Sequence, residues 1–309
     1  MKARAPKPKA ARAVEANSGI RRKFAKKLHS FARSFSRQVA DEIFLHLAET
    51  SQIAQDWSLS YPKSKEDKEL LREISRGVLA AWKRDPEGFR QNIEAYVAKH
   101  VGEWTENANR AAQKLAIWVA RCVAADVTAA QRQAYTAAGL SPDWMRQKWT
   151  VPIVHQRISQ RAAREIPALV AWSTELITKT ATRDIDRLQQ VIVTSLSEGR
   201  TVQEVRDQLL QTEGFSLERA TNVAIDQTNK ITQGIARAND AELGIEEGIW
   251  IHVPGKYSSR ETHIEMNGKR FNLERGMYDD DAEQFCVPGQ LPFCRCTYRP
   301  IISFDKMKS

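Results

Sequence analysis

The chain has 309 residues, of which 42% are hydrophobic and 28% charged, with a net charge of +9 and four cysteines. That is enough for two domains and a sizeable core, and no apolar run approaches the ~18 residues of a membrane-spanning helix. Three clustered cysteines and one isolated do not make a secreted disulfide scaffold, and the basic N-terminus lacks the apolar core of a secretory signal, so synthesis and folding are expected in the cytoplasm.

The positive charge is concentrated at one end. Residues 1–40 hold twelve Lys/Arg against one acid, Glu15, whereas the remainder carries 35 basic and 37 acidic residues. Residues 1–19 are rich in Ala, Lys, Arg and Pro with little to bury, and are expected to form a disordered basic arm. From Ile20 the apolar residues Phe24, Leu28, Phe31, Phe35, Val39, Ile43 and Leu47 recur every three or four positions, which predicts an amphipathic helix, basic in its first half. Arg21, Arg22, Lys23, Lys26 and Lys27 are its candidate contacts to double-stranded DNA, through phosphates rather than bases. A solvated tail and an acidic protein surface are the main alternatives, and a membrane surface a lesser one.

Residues 51–68, polar and containing Pro62, read as a loop. Helices are predicted over 65–84, 86–100 and 102–138, with breaks at Asp85-Pro86 and Ala138-Gly139. Cys122 falls on an apolar stripe with Leu115, Val119 and Val127 and reads as a small core residue. Trp82, Trp104, Trp118, Trp144 and Trp149 read as core and interface anchors. Residues 20–150 are therefore expected as a helical N-terminal domain. Pro142, Pro152 and Pro167 punctuate the next stretch, and 151–215 is expected to contain connecting helices. There Ile177, Ala181, Ile185, Leu188, Ile192 and Leu196 define one helix ending at Gly199. Thr201 and Glu204 have capping-box spacing, Gly214 ends that helix, and Ser216 caps the next.

That next helix, about 217–240, opens the expected C-terminal domain, 216–309. It carries Asp226-Gln227-Thr228-Asn229-Lys230, in which Asp226, Asn229 and Lys230 share a face. The face is either exposed, with one ion pair, or it fixes the loops of the C-terminal lobe against the helix. After Gly244 the composition turns β-rich, with short strands expected at 248–253, 270–273 and 297–302 and a tight turn at Asn267-Gly268. Asp279-Asp280-Asp281 lacks the spaced ligands of a calcium loop and reads as a solvated loop. The fold class is mostly α, an elongated multi-helix N-terminal and central region with a small α+β C-terminal lobe.

Cys286, Cys294 and Cys296 lie within eleven residues of one another. In an extended strand the sulfurs of Cys294 and Cys296 point to one face and Arg295 to the other. Together with His263 they make a set that tetrahedral zinc accepts, a closed and therefore structural site. Two other states stay open: packed free thiols, with Arg295 pairing to an acid such as Asp226, or a disulfide from Cys286. No other cofactor is expected. His263, near Glu261, Glu265, His252 and Arg260, also suggests an acid–base group of a nuclease. No nucleophile motif, phosphate loop or spaced carboxylate pair accompanies it, so no enzyme activity is expected.

The order of Asp226-Gln227-Thr228, Trp250, Arg260 and His263, Asn267-Gly268, Pro288-Gly289, Cys294-Arg295-Cys296 and Pro300 resembles the phage Mu F-like minor head proteins, also called phage head morphogenesis proteins. Val287 stands where that family often has a His before the Pro-Gly, and Ser258 where it usually has an acid before the Arg-x-x-His. The resemblance implies a low-copy virion protein in the capsid interior near the portal, assembled in the host cytoplasm. It would assist prohead assembly and DNA packaging or ejection, with the portal protein and a capsid or scaffolding protein as partners. A toxin-like nuclease carrying a Mu F-like lobe and a basic DNA-binding protein are the alternatives.

Overall fold

The computed structural model describes residues 8–50, 65–200, 204–205, 217–254 and 259–304. The polar loop before residue 65, Thr201, Gly214, Ser216 and Ser258 lie outside them. The protein is predominantly helical, and most of its short strands gather near the C-terminus.

Helix α1 (Ser18–Thr50) begins where the Asn17 side chain accepts the backbone N–H groups of Gly19 (2.8 Å) and Ile20 (3.1 Å), satisfying two donors that an unfinished helix end leaves without partners. Its periodic residues Phe24, Leu28, Phe35, Val39, Ile43 and Leu47 are buried as the spacing predicts. Helix α2 spans Lys65–Arg84. Helix α3 (Pro86–Ala138) is continuous, in place of the two helices expected on either side of Val101. A glycine at position 102 costs only about 1 kcal/mol, and the burial of Val97 and Trp104 on either side of it outweighs that.

Helix α4 (Pro142–Lys148) starts with Ser141 as cap and proline in the first turn. The connecting region is not purely helical: β2 (Val151–Ile153) and β3 (Gln156–Ile158) form an antiparallel hairpin that buries Ile153 and Ile158. Helix α5 (Gln160–Thr182) then runs through Pro167, which is exposed. The series from Ile177 to Leu196, expected as one helix, is split at Arg183 between α5 and α6 (Asp184–Ser197), with all six apolar residues buried. Helix α7 (Leu217–Glu242) is followed by β4 (Glu247–Ile251), the short helix α8 (Glu261–Glu265), β5 (Arg270–Asn272), β6 (Met277–Asp279), β7 (Gln284–Cys286) and β8 (Thr297–Ile302). No helix among the described residues is long and apolar enough to cross a membrane.

Two compact units emerge, each built from segments distant in sequence. One comprises Met1–Lys26, Gln113–Thr174 and Glu218–Ser309, the other Lys27–Ala112 and Glu175–Leu217. In the second unit Val39, Ile43, Ile93, Leu188 and Ile192 share one core with Trp104. The Trp104 indole N–H donates to Glu42, so this tryptophan is an internal anchor and offers no surface to a partner. His46 stacks on Tyr96 with ring centroids 4.0 Å apart, a packing role.

The first unit holds a four-stranded antiparallel sheet in the order β1-β8-β4-β5. Its edge strand β1 (Lys9–Ala10) comes from the segment expected to be disordered. Lys9 pairs with Ile302 and Ala10 with Ile301, the Ala11 N–H donates to the Pro300 carbonyl (2.9 Å), and Ala11 and Val14 are buried. Composition missed this because the pairing uses backbone groups, which any non-proline residue supplies. Beside the sheet, the carboxylate of Asp240 on α7 accepts the Tyr298 hydroxyl (2.6 Å), Gln131 Nε2 (2.9 Å) and the Tyr135 hydroxyl. Asn239 accepts the Ser159 N–H (3.0 Å) and donates to Gln131 Oε1 (2.9 Å).

Candidate functional site

Helix α7 buries polar residues as well as its apolar face of Ala220, Ala224, Ile231 and Ile235; Asp226, Gln227, Thr228, Asn229 and Lys230 are all interior. Buried polar groups cost free energy unless they are paired, and each has partners. Asp226 Oδ2 binds Lys230 Nζ at 3.0 Å, while its Oδ1 accepts the Phe293 N–H at 2.6 Å. Thr228 donates its hydroxyl to the Ala224 carbonyl one turn back (2.7 Å). Asn229 Nδ2 donates to the carbonyls of Cys294 (2.9 Å) and Cys296 (3.4 Å). Gln227 accepts the Ser173 hydroxyl (2.8 Å) and donates to Asp226. Lys230 also lies 3.8 Å from the centroid of the Trp172 ring, and burial lowers its pKa against the opposing pull of Asp226. The exposed-face reading of this helix is thus overturned. Asp226 and Asn229 fix the segment before β8 against α7, and the Asp226 carboxylate considered as a partner for Arg295 is engaged by Lys230 and the Phe293 N–H.

The close approach has a backbone requirement. Gly289 has φ +79°, and a Cβ on it would stand 2.8 Å from Gln233 Cγ and 3.2 Å from Asn229 Nδ2. Gly289→Ala should therefore destabilise the protein by about 1–3 kcal/mol in urea unfolding, from left-handed strain plus displacement of the Asn229 clamp. Unchanged stability would show that the contact is loose.

The second cluster centres on His263, in α8. The Asn267-Gly268 turn returns the chain from this helix to β5. Gly268 sits at φ +78°, its N–H donates to the Trp250 carbonyl (2.8 Å), and Asn267 Oδ1 accepts the backbone N–H of His252 (2.9 Å). Arg260, at the N-cap of α8, donates to the Pro292 carbonyl (3.2 Å). The Trp250 ring packs edge-on against the His263 ring at 5.2 Å.

His263 is buried between two groups of partners. Its Nε2 lies 2.9 Å from Asp279 Oδ2 and 3.8 Å from Cys286 Sγ. Its Nδ1 lies 3.5 Å from Cys294 Sγ and 3.6 Å from Cys296 Sγ. Cys296 Sγ is also 3.6 Å from His252 Nδ1. Asp279, expected in a solvated loop, is fully buried at the end of β6, and its Oδ1 accepts the N–H groups of Asp281 (3.0 Å) and Ala282 (3.2 Å). Only Asp280 and Asp281 of the acidic run are exposed.

All four cysteines are free thiols. The hydrogen bond from Cys296, with further support from His263 and the Gly289 N–H, pulls the Cys294 thiol well below its ordinary value. Cys296 moves up in turn because its proton is held by Cys294 and its site is buried, and burial with the nearby Asp279 pushes Cys286 to about 12. Burial opposes protonation of His263, but the Cys294 sulfur and Asp279 carboxylate outweigh it and raise its pKa. Cys122, expected in the core, is half-buried.

His263, Cys294 and Cys296 are brought together as the sequence suggests, whereas Cys286 stands beside the other ring nitrogen. Sequence reasoning missed Asp279 as a member of the cluster and named His252 only as a neighbour of a candidate acid–base group. Arg22, Lys23, Lys26 and Lys27 are exposed on α1, and Arg21 is half-buried.

Residues 186–299 match the family described as Phage Mu protein F like protein. The Mu F-like segment thus begins within α6, upstream of the boundary expected at 216, and takes in α7, the His263 cluster and the first half of β8. An uncharacterized protein of Haemophilus influenzae (strain ATCC 51907 / DSM 11121 / KW20 / Rd) is 24% identical over 218 residues, covering 71% of this chain and 46% of that protein. The chain therefore spans about half the length of this relative. No solved structure matches it.

Proposed function

We propose that this chain is a phage minor head protein, a low-copy component that binds near the portal in the capsid interior and assists prohead assembly. The observation that carries this reading is the Mu F-like match over residues 186–299, which contains the signature residues Asp226, Gln227, Trp250, His263 and Arg295. The burial of the first four supports their being the internal scaffold of a lobe whose outer surface meets other head proteins. His263 is turned inward toward Asp279 and the sulfurs, and Glu261 and Glu265 are exposed, an arrangement that favours a structural role over acid–base catalysis on a nucleic acid.

The test is co-expression of the full chain with the portal protein and, separately, with the major capsid protein of the same phage, followed by affinity capture. Retention of the portal through a physiological-salt wash is expected. Failure to retain it, with the chain itself folded, would overturn the portal assignment.

The exposed basic residues at the start of α1 support contact with packaged or incoming DNA. Binding to duplex DNA should weaken steeply with salt, with a log–log slope of about −0.9 per phosphate neutralised. The triple variant Arg22→Glu, Lys23→Glu, Lys26→Glu should reduce both affinity and slope, with no change in thermal unfolding. Salt-independent binding, or unchanged binding by the variant, would remove DNA from the proposal.

A further inference from the structure

We propose that Cys294, Cys296, His263 and His252 form a structural zinc site, with Asp279 rather than Cys286 standing behind His263. The inference stands apart from the head-assembly reading, since it rests on donor geometry alone.

A tetrahedral zinc with Zn–S near 2.3 Å and Zn–N near 2.0–2.1 Å has a sulfur-to-nitrogen edge of about 3.6 Å. His263 Nδ1 lies 3.5 Å from one cysteine sulfur and 3.6 Å from the other. These three donor atoms all lie within 4.8 Å of one another, so three corners of a tetrahedron are assembled.

The fourth corner has two claimants, Cys286 and His252. The two nitrogens of an imidazole ring direct their lone pair and proton to different sides. Cys286 is 3.8 Å from Nε2, on the side where Asp279 already accepts at 2.9 Å, and so lies away from a metal held at Nδ1. His252 presents its Nδ1 3.6 Å from the Cys296 sulfur, again the expected edge length. His252 stands outside the group of donors that lie within 4.8 Å of one another, so its ring has to turn about the side-chain torsions for it to serve as the fourth ligand. Its backbone is held for this at the end of β4, where Asn267 accepts its N–H.

The surroundings fit a metal-bound histidine. A ligating imidazole nearly always donates its other N–H to a carboxylate, carbonyl or water, which fixes the tautomer and ring orientation. Asp279, fully buried and oriented by two backbone N–H groups, is such an acceptor. Two thiolates and two imidazoles leave no open position, which makes the site structural. Zinc entry releases the remaining thiol protons to solvent. The bound ion would tie together the end of β4, helix α8 and the segment that leads into β8.

The decisive measurement is X-ray absorption fine structure at the zinc edge on the full chain, purified without chelator and supplied with zinc, alongside elemental analysis. One zinc per chain is expected, with two sulfur and two nitrogen neighbours. A shell of three sulfurs and one nitrogen would overturn the ligand set, and failure to bind stoichiometric zinc would overturn the site. Competition with a zinc chelator adds a second reading. Cys286→Ser should keep wild-type affinity, His252→Ala should lose at least about tenfold, and Asp279→Asn about 10–100-fold. Loss of zinc by Cys286→Ser with retention by His252→Ala would reverse the assignment. The absorption measurement uses the unaltered protein and stands even if a variant fails to fold.

Discussion

Asp226→Ala should lower the unfolding free energy by about 3–5 kcal/mol, the usual consequence of breaking a buried ion pair by removing one partner. Lys230 and Asp226 are 5% and 4% exposed, so the orphaned ammonium would have little water to turn to. The same substitution frees the Phe293 N–H. Phe293 holds a left-handed backbone, φ 58°, a conformation that costs a non-glycine residue roughly 1–2 kcal/mol and that the Asp226 hydrogen bond offsets. Urea unfolding followed by tryptophan fluorescence measures the loss. Asp226→Ala with Lys230→Met should recover much of it, because the pair is then replaced rather than broken. A single-variant loss below about 1 kcal/mol would mean that the helix does not lock the segment before β8.

Asp240 should make the protein less stable as pH rises. Burial lifts its pKa from 3.8 to about 7, even though Tyr135, Tyr298 and Gln131 hydrogen-bond to the carboxylate and Arg237 lies near. The folded state therefore holds a proton that the unfolded state has released between about pH 4 and pH 7. The stabilising contribution is fully present below pH 4 and lost as pH climbs through 7, and amounts to about 4 kcal/mol in all. Other groups titrate in this window, so the difference between wild type and Asp240→Asn isolates the effect. From pH 4.5 to pH 8 that difference should move by about 3 kcal/mol in favour of the variant. Parallel stability curves for the two proteins would show that Asp240 is ionised throughout.

Spacing made the helices legible. The 3.6-residue recurrence in α1 and in the series from Ile177 to Leu196 follows from geometry that any buried helix obeys, and those residues are interior. Helix limits were less legible, since Gly102 and Pro167 are punctuation only where packing does not override them. The polar string from Asp226 to Lys230 could not be resolved by the same means. A charged, amide-rich face looks alike whether it meets water or a second layer of chain. Only the tertiary fold supplies the Phe293 N–H and the Cys294 carbonyl that make its burial tolerable.

The His263 cluster was half legible. Cys294 and Cys296, two positions apart, do converge on one imidazole, although they precede β8 rather than lie in it. The partner on the far side of the ring was hidden. Asp279 sits in a run of three aspartates, and nothing in the run tells which carboxylate the following turn directs inward. The family resemblance located the Mu F-like segment in the C-terminal part of the chain, yet it did not point to Asp279.

The pairing of β1 with β8 has a consequence in time. Ala11 accepts from Arg299, 288 residues further along the chain. At about 5–20 residues per second of synthesis, the early segment waits on the order of 15–60 s for the strand it joins. Throughout that interval its backbone and its basic side chains lack their final neighbour. A chain that stalls before Thr297 never supplies one, so Lys9–Ala10 would stay open to proteolysis in such copies and be sheltered once β8 is made. The sheet edge thereby distinguishes copies whose synthesis has passed Ile302 from copies interrupted before Thr297.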